Sequence, residues 1–189
     1  MEPLLEEVKK CIEQLSLGNL ILYPTDTLWG IGCDATNVEA VKKIYALKER
    51  EDSKTLICLV SDQAMLERHI MEVPELAYDI MDLATKPTTI VYDGPKGVAR
   101  NLVAPDNTLA IRVASDKFCQ YLIRRFGKPI VSTSANISGR PAPKQFKDIG
   151  PEILKGVDYV VNLRLENNDP VPSSIIRLGN DGQVKVIRE

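Results

Sequence analysis

Leu20-Ile21-Leu22-Tyr23-Pro24-Thr25-Asp26-Thr27-Leu28-Trp29-Gly30-Ile31-Gly32-Cys33 is the stretch whose reading decides the fold. Its first four residues form a short, continuous apolar run that ends at a proline, the pattern of a buried strand. After Pro24 come two threonine hydroxyls, a carboxylate and two glycines, which read as a loop at the end of that strand. In open α/β sheets ligands sit beyond the carboxyl ends of strands, so this loop is a candidate wall of a site. The glycines alone say little, because Gly is the usual residue of tight turns.

Upstream, Leu4, Leu5, Val8, Ile12 and Leu15 recur at helical spacing until Gly18-Asn19 stops them. Downstream, Asn37 is placed to cap a helix running to about Lys48, with Val41, Ile44, Tyr45 and Leu47 on its apolar side. The alternation continues with strands expected near 55–60, 88–92, 108–113 and 129–133 and helices near 62–70, 74–84 and 116–126. The tail carries apolar runs at 158–163, 173–178 and 183–188. Gly179-Asn180-Asp181-Gly182 joins the last two as a hairpin turn. Such a mixture implies an α/β fold whose sheet has both parallel and antiparallel strands, with helices packed on it.

The 189 residues suit a single domain over 1–189, long enough to bury a core. With a formal net charge of -2 there is no global bias toward nucleic acid. Residues 112–147, however, carry eight Lys or Arg against one acid, Asp116, and as a positive face they would suit phosphates. A solvated helix surface explains that run equally well. The four cysteines have no metal-site or redox spacing, and Cys58 sits in an apolar run as a small hydrophobe. No apolar stretch approaches the roughly 18–20 residues of a membrane span, and the N-terminus lacks the character of a secretory signal. A cytoplasmic setting is the expectation.

Two polar clusters stand out. Lys48-Glu49-Arg50, with Lys54 behind, gathers fixed positive charge where a helix gives way to a strand. Read as extended, the segment puts Lys48 and Arg50 on one face, where Arg50 suits bidentate contact with phosphate oxygens. The alternative is a helix end whose cations offset the dipole. Ser132-Thr133-Ser134-Ala135-Asn136 lines hydroxyls and an amide after another strand, either as a phosphate-binding loop or as an ordinary polar turn. His69 is the only histidine, and no Gly-x-Ser-x-Gly elbow, Walker A loop, kinase signature or full dinucleotide fingerprint is present. What remains is a site that works by positioning and electrostatics, as phosphoryl and nucleotidyl chemistry does.

Taken together, Tyr23-Pro24-Thr25-Asp26-Thr27, Gly30-x-Gly32-Cys33, Lys48-x-Arg50, Thr108-Leu109-Ala110-Ile111-Arg112 and Ser132-Thr133-Ser134-Ala135-Asn136-x-Ser138-Gly139 resemble the YrdC/TsaC family of L-threonylcarbamoyladenylate synthases. The resemblance implies a YrdC-like twisted mixed sheet flanked by helices, with a positively charged concave surface. It implies an enzyme that joins L-threonine, bicarbonate or carbon dioxide and ATP into threonylcarbamoyl-AMP and pyrophosphate, with Mg2+ on the phosphates. The product serves the threonylcarbamoyl modification of tRNA adenosine 37, with transfer made by separate proteins and tRNA contact through a basic surface. By similarity Lys48 and Arg50 are catalytic. Lys48, Arg50, Lys54, Thr108, Ser134, Asn136 and Arg188 face ATP, while Thr27, Arg112, Ser132 and Ser173 hold threonine, Arg112 on its carboxylate. No dedicated metal site is implied. The sequence departs from the family pattern at 84–88, where Ala84-Thr85-Lys86-Pro87-Thr88 lacks a glycine, and at Pro172-Ser173-Ser174. The competing reading is a YrdC-like RNA-binding module without this activity, drawn from the basic segment.

Overall fold

Helix α1 (Glu2–Ser16) stops where Gly18 enters the left-handed region at φ 71°. The N–H groups of Gly18 and Asn19 return to the carbonyls of Leu15 and Gln14 at 3.0 Å, the paired closure of a Schellman end. Strand β1 (Ile21–Pro24) follows and turns back directly into β2 (Trp29–Gly32), with Ile21 opposite Gly32 and Pro24 opposite Trp29. The loop expected over residues 25–33 therefore shrinks to 25–28, and β2 is a strand the sequence reading lacked. Gly30 and Gly32 hid it, since they break any apolar–polar alternation. Their role is close approach: a Cβ on Gly32 would lie 2.6 Å from both the Tyr23 ring and the Val131 carbonyl oxygen.

The computed structural model describes residues 2–50, 56–163 and 172–189. After β2 come α2 (Val38–Leu47), β3 (Ile57–Val60), α3 (Gln63–His69), α4 (Glu75–Leu83), β4 (Thr88–Asp93), β5 (Thr108–Val113), α5 (Lys117–Phe126), β6 (Ile130–Ser134), α6 (Pro151–Gly156), β7 (Tyr159–Val160), β8 (Ser174–Leu178) and β9 (Val184–Arg188). Caps mark these starts and stops. Asn37 Oδ1 accepts from the N–H groups of Glu39 and Ala40, Asp62 from that of Met65, and Asp116 from that of Cys119. Gly127 ends α5 at φ 76°. Helix α6 was not expected, although Pro151 in its first turn is a start signal. The apolar run at 158–163 contributes only β7, two residues long.

Among the described residues nine strands form one sheet in the order β7-β1-β2-β6-β3-β5-β4-β8-β9. Pairs β1/β7, β3/β5 and β4/β8 are parallel and the others antiparallel, the mixed sheet expected from the alternation. Directly paired residues share a face. Ile57 lies opposite both Ser132 and Ala110, Ala110 opposite Val91, and Gly30 opposite Ser134. One face therefore carries Thr89, Thr108, Arg112, Ser132 and Ser134. The other presents Cys58, Ile90, Ile111 and Val131, all within 2% of complete burial, to the apolar core. The two-residue period thus separates polar groups from the core along the same strands.

Candidate active site

The segment Lys48-Glu49-Arg50 is not extended. Lys48 ends α2 in a helical conformation, and Glu49 takes φ 50°, in the left-handed region. The N–H of Arg50 bonds to the Tyr45 carbonyl at 3.0 Å and that of Glu49 to Ala46 at 3.2 Å, a Schellman end with a glutamate where glycine is usual. The expected sharing of a strand face fails because the helix continues one residue further and then reverses. Proximity survives, since the Arg50 guanidinium is close enough to act electrostatically on the Lys48 ammonium.

Lys48 is 1% exposed. Its Nζ donates to the carbonyls of Ser134 and Asn136 at 2.5 and 2.6 Å, and its own carbonyl accepts from the Ser138 N–H at 2.8 Å. Burial, with the nearby Arg50 charge adding to it, pushes the ammonium's pKa from 10.5 down to about 8. Lys48 thus fastens the chain after β6 to the end of α2, and the two polar clusters form one unit. Asn136 Nδ2 donates to the carbonyls of Ile137 and Arg140 at 3.0 and 2.6 Å, bracing the turn, while its Oδ1 is buried without a partner. Burial also lowers the pKa of the Arg50 guanidinium.

A second cluster gathers around Arg112, which is 4% exposed. Its Nη2 donates to Asp26 Oδ1 at 3.0 Å and to Thr27 Oγ1 at 3.4 Å, while its Nε is buried with no acceptor. The other Asp26 oxygen accepts from the Ser115 hydroxyl at 2.7 Å and from the Ser115 N–H at 3.4 Å. The short loop between β1 and β2 therefore folds over the polar face to meet β5. Beneath it, Asp116 has its pKa raised by burial, with the Asp26 charge adding to the effect and the Cys119 N–H opposing it. Its Oδ2 is buried and unpartnered. The Tyr23 hydroxyl donates to the Val131 carbonyl at 3.1 Å and lies close to Ser132 and to the Arg112 charge.

From the far side of the sheet, Ser173 joins the same cluster. Its hydroxyl pairs with Thr89 Oγ1 at 2.9 Å, and its carbonyl accepts from Arg188 Nε and Nη2 at 3.0 and 2.7 Å. Burial and the neighbouring Arg112 charge both lower the Arg188 pKa. Arg188 thus stands at the Arg112 end, beside Ser173. The departures at 84–88 leave this intact, since Thr88 pairs with Ser174 and the Ser174 N–H bonds to the Pro87 carbonyl.

Thr108 occupies the opposite end of β5, four residues or about 13 Å from Arg112 along the strand, with its hydroxyl on Asp106 Oδ1 at 2.7 Å. Lys54 lies outside the described residues. Asp26, Thr89 and Ser115 were absent from the sequence candidates, although Asp26 stood within the quoted motif. Four of the eight cations of the basic segment are paired, Arg112, Arg124, Lys128 and Arg140 with Asp26, Asp62, Asp34 and Glu152 from other parts of the chain, and of the eight only Arg112 is buried. Phe118 is 1% exposed and unable to stack on a base. Among the described residues no three His, Cys, Asp or Glu side chains group as a metal site, and no helix is long and apolar enough to cross a membrane.

Residues 13–189 match the Sua5/YciO/YrdC family, described as Telomere recombination. A protein of Pseudoalteromonas translucida named threonylcarbamoyl-AMP synthase is 31% identical over 171 residues, 89% of this chain and 91% of that one. A Halorhodospira halophila protein of the same name is 32% identical over 177 residues, 93% of this chain and 91% of the relative. Among solved structures, P. abyssi Sua5 complexed with L-threonine superposes with a TM-score of 0.79 at 25% identity, over 90% of this chain and 50% of the other. The chain thus spans about half the length of that Sua5 protein.

Proposed function

The chain belongs to the Sua5/YciO/YrdC family, and from that premise we propose that it is a threonylcarbamoyl-AMP synthase. The threonine amine takes up bicarbonate or carbon dioxide as a carbamate. A carbamate oxygen then attacks the α-phosphorus of ATP, and pyrophosphate leaves. What supports this reading most is the division of one sheet face into two polar ends linked by β5 and β6. At one end Arg112, with Thr27, Ser132, Ser173 and Arg188 around it, suits a small carboxylate. At the other, Arg50, Ser134, Asn136 and Thr108 suit a nucleotide, and the about 13 Å along β5 leaves room for both.

Arg50 supplies the charge that favours an anionic α-phosphorus centre and a departing pyrophosphate. Lys48 holds the Ser134–Asn136 loop in place and so acts on the nucleotide through that loop. Mg2+ enters with the ATP phosphates, its usual carriers. The product passes to separate proteins that modify tRNA. The test is pyrophosphate release by the purified chain with ATP, magnesium and bicarbonate, with and without L-threonine. Release that requires threonine and bicarbonate together is the expected outcome. Folded chain that binds ATP and releases none overturns the proposal, and salt-sensitive RNA binding in that case would favour the RNA-binding reading.

A further inference from the structure

We propose that Asp26 is the acceptor for the α-ammonium of the amino-acid substrate, so that the Arg112–Asp26 pair forms a two-pronged receptor for a zwitterion. The inference rests on the threonine reading above and assigns a role to a residue that it leaves unused. The geometry is that of a pair occupying itself. Arg112 and Asp26 have side chains 4% and 7% exposed and meet at 3.0 Å, with Thr27 Oγ1 on the same guanidinium nitrogen. The match is incomplete, because Arg112 Nε–H has no acceptor. An α-amino acid carries a carboxylate and an ammonium on one carbon. It replaces the internal pair with two external ones, its carboxylate on Arg112 and its ammonium on Asp26. No net charge is buried in the exchange, whereas a lone anion entering beside Arg112 would leave Asp26 uncompensated.

Two further observations place Asp26 in this role. Ser115 holds its second oxygen through both hydroxyl and N–H, so the carboxylate keeps its position when Arg112 turns to the substrate. The unpartnered Asp116 oxygen adds a second acidic group close by, which favours a cation at this spot. On the other side Arg188 brings positive charge toward Arg112, which favours the substrate's anionic end there.

The experiment is calorimetric titration of the whole chain with L-threonine and with 2,3-dihydroxybutanoate, which keeps the carboxylate and the β-hydroxyl and replaces the ammonium by a hydroxyl. Wild type is expected to prefer threonine by a factor of about 10 to 100, the worth of one charge-assisted hydrogen bond. Asp26→Asn abolishes that preference, and the affinity for dihydroxybutanoate holds or rises because no carboxylate is left uncompensated beside it. Asp26→Glu, which keeps the charge and guards against a misfolded neutral variant, retains the preference. Equal weakening of both ligands by Asp26→Asn would mean that Asp26 only orients Arg112, and would overturn the proposal. Wild type that binds dihydroxybutanoate as tightly as threonine overturns it too. Wild type that binds neither ligand removes the threonine reading itself, and this proposal with it.

Discussion

Replacing Lys48 by Met separates a lysine that fastens a loop from one that grips the nucleotide. The ammonium is 1% exposed and donates to two carbonyls at 2.5 and 2.6 Å. Losing two hydrogen bonds from a charged donor costs about 3–6 kcal/mol. Removing the buried charge returns the free energy that lowers its pKa from 10.5 to about 8, which is about 3 kcal/mol. The net destabilisation near neutral pH is therefore about 0–3 kcal/mol, and the variant folds. The loss falls on the loop: amide exchange over residues 134–140 accelerates, and ATP affinity drops with it. A pH signature follows as well. The unfolded chain holds the Lys48 proton up to 10.5 and the folded chain only to about 8. Between those values the unfolded state binds more protons, so stability from this residue rises with pH and is lost as pH falls through 8. The buried thiols Cys11 and Cys58, pushed up to about 12, act in the opposite sense and cancel in a comparison of the two proteins. Denaturant titrations from pH 7 to 11 should show wild type gaining up to about 3 kcal/mol over Lys48→Met. A flat difference, or lost ATP binding with unchanged exchange at 134–140, would refute the reasoning.

Arg50→Ala should abolish adenylate formation in a chain that still unfolds cooperatively; retained activity removes Arg50 from the site. Asn136→Ala should also lose activity but cost about 1–3 kcal/mol of stability, because its amide braces two carbonyls; a denaturant midpoint equal to wild type would contradict that bracing. Arg112→Ala leaves the Asp26 carboxylate buried and unpaired, at a cost of about 3–5 kcal/mol. Arg112→Lys is therefore the kinetic probe, expected to raise the threonine KM at least about tenfold with the ATP KM little changed; equal effects on both would remove Arg112 from the carboxylate. Glu49→Gly relieves a left-handed residue at φ 50° and should gain about 0.5–1 kcal/mol, or about 1–4 °C in Tm. Gly32→Ala should lose about 1–3 kcal/mol through the contacts at 2.6 Å with Tyr23 and Val131, and an unchanged Tm would show that β1, β2 and β6 separate easily.

Local signals settled much of this protein. The Asn37 side-chain cap, the glycine stops at 18 and 127, and the apolar runs of β1, β5 and β6 act over a few residues, so they can be read without tertiary context. The two polar clusters were legible as residue types for the same reason. Strand β2 was not, because its glycines answer to Tyr23 and Val131 rather than to any period of their own. Nor was the conformation at Glu49, where the energy of closing α2 outweighs the usual need for glycine. Roles within the site depended on which side chain met which. Lys48 reads as a mobile phosphate cation until β6 brings two carbonyls to it across 86 and 88 residues of chain. Asp26 reads as a loop acid until Arg112, 86 residues away, is found against it. Sequence alone determined most of the elements and the chemical inventory, since propensity and periodicity are local. Pairing, burial and the shifted ammonium of Lys48 were decided only by the tertiary structure, because desolvation and charge act through distances that the order of residues does not contain.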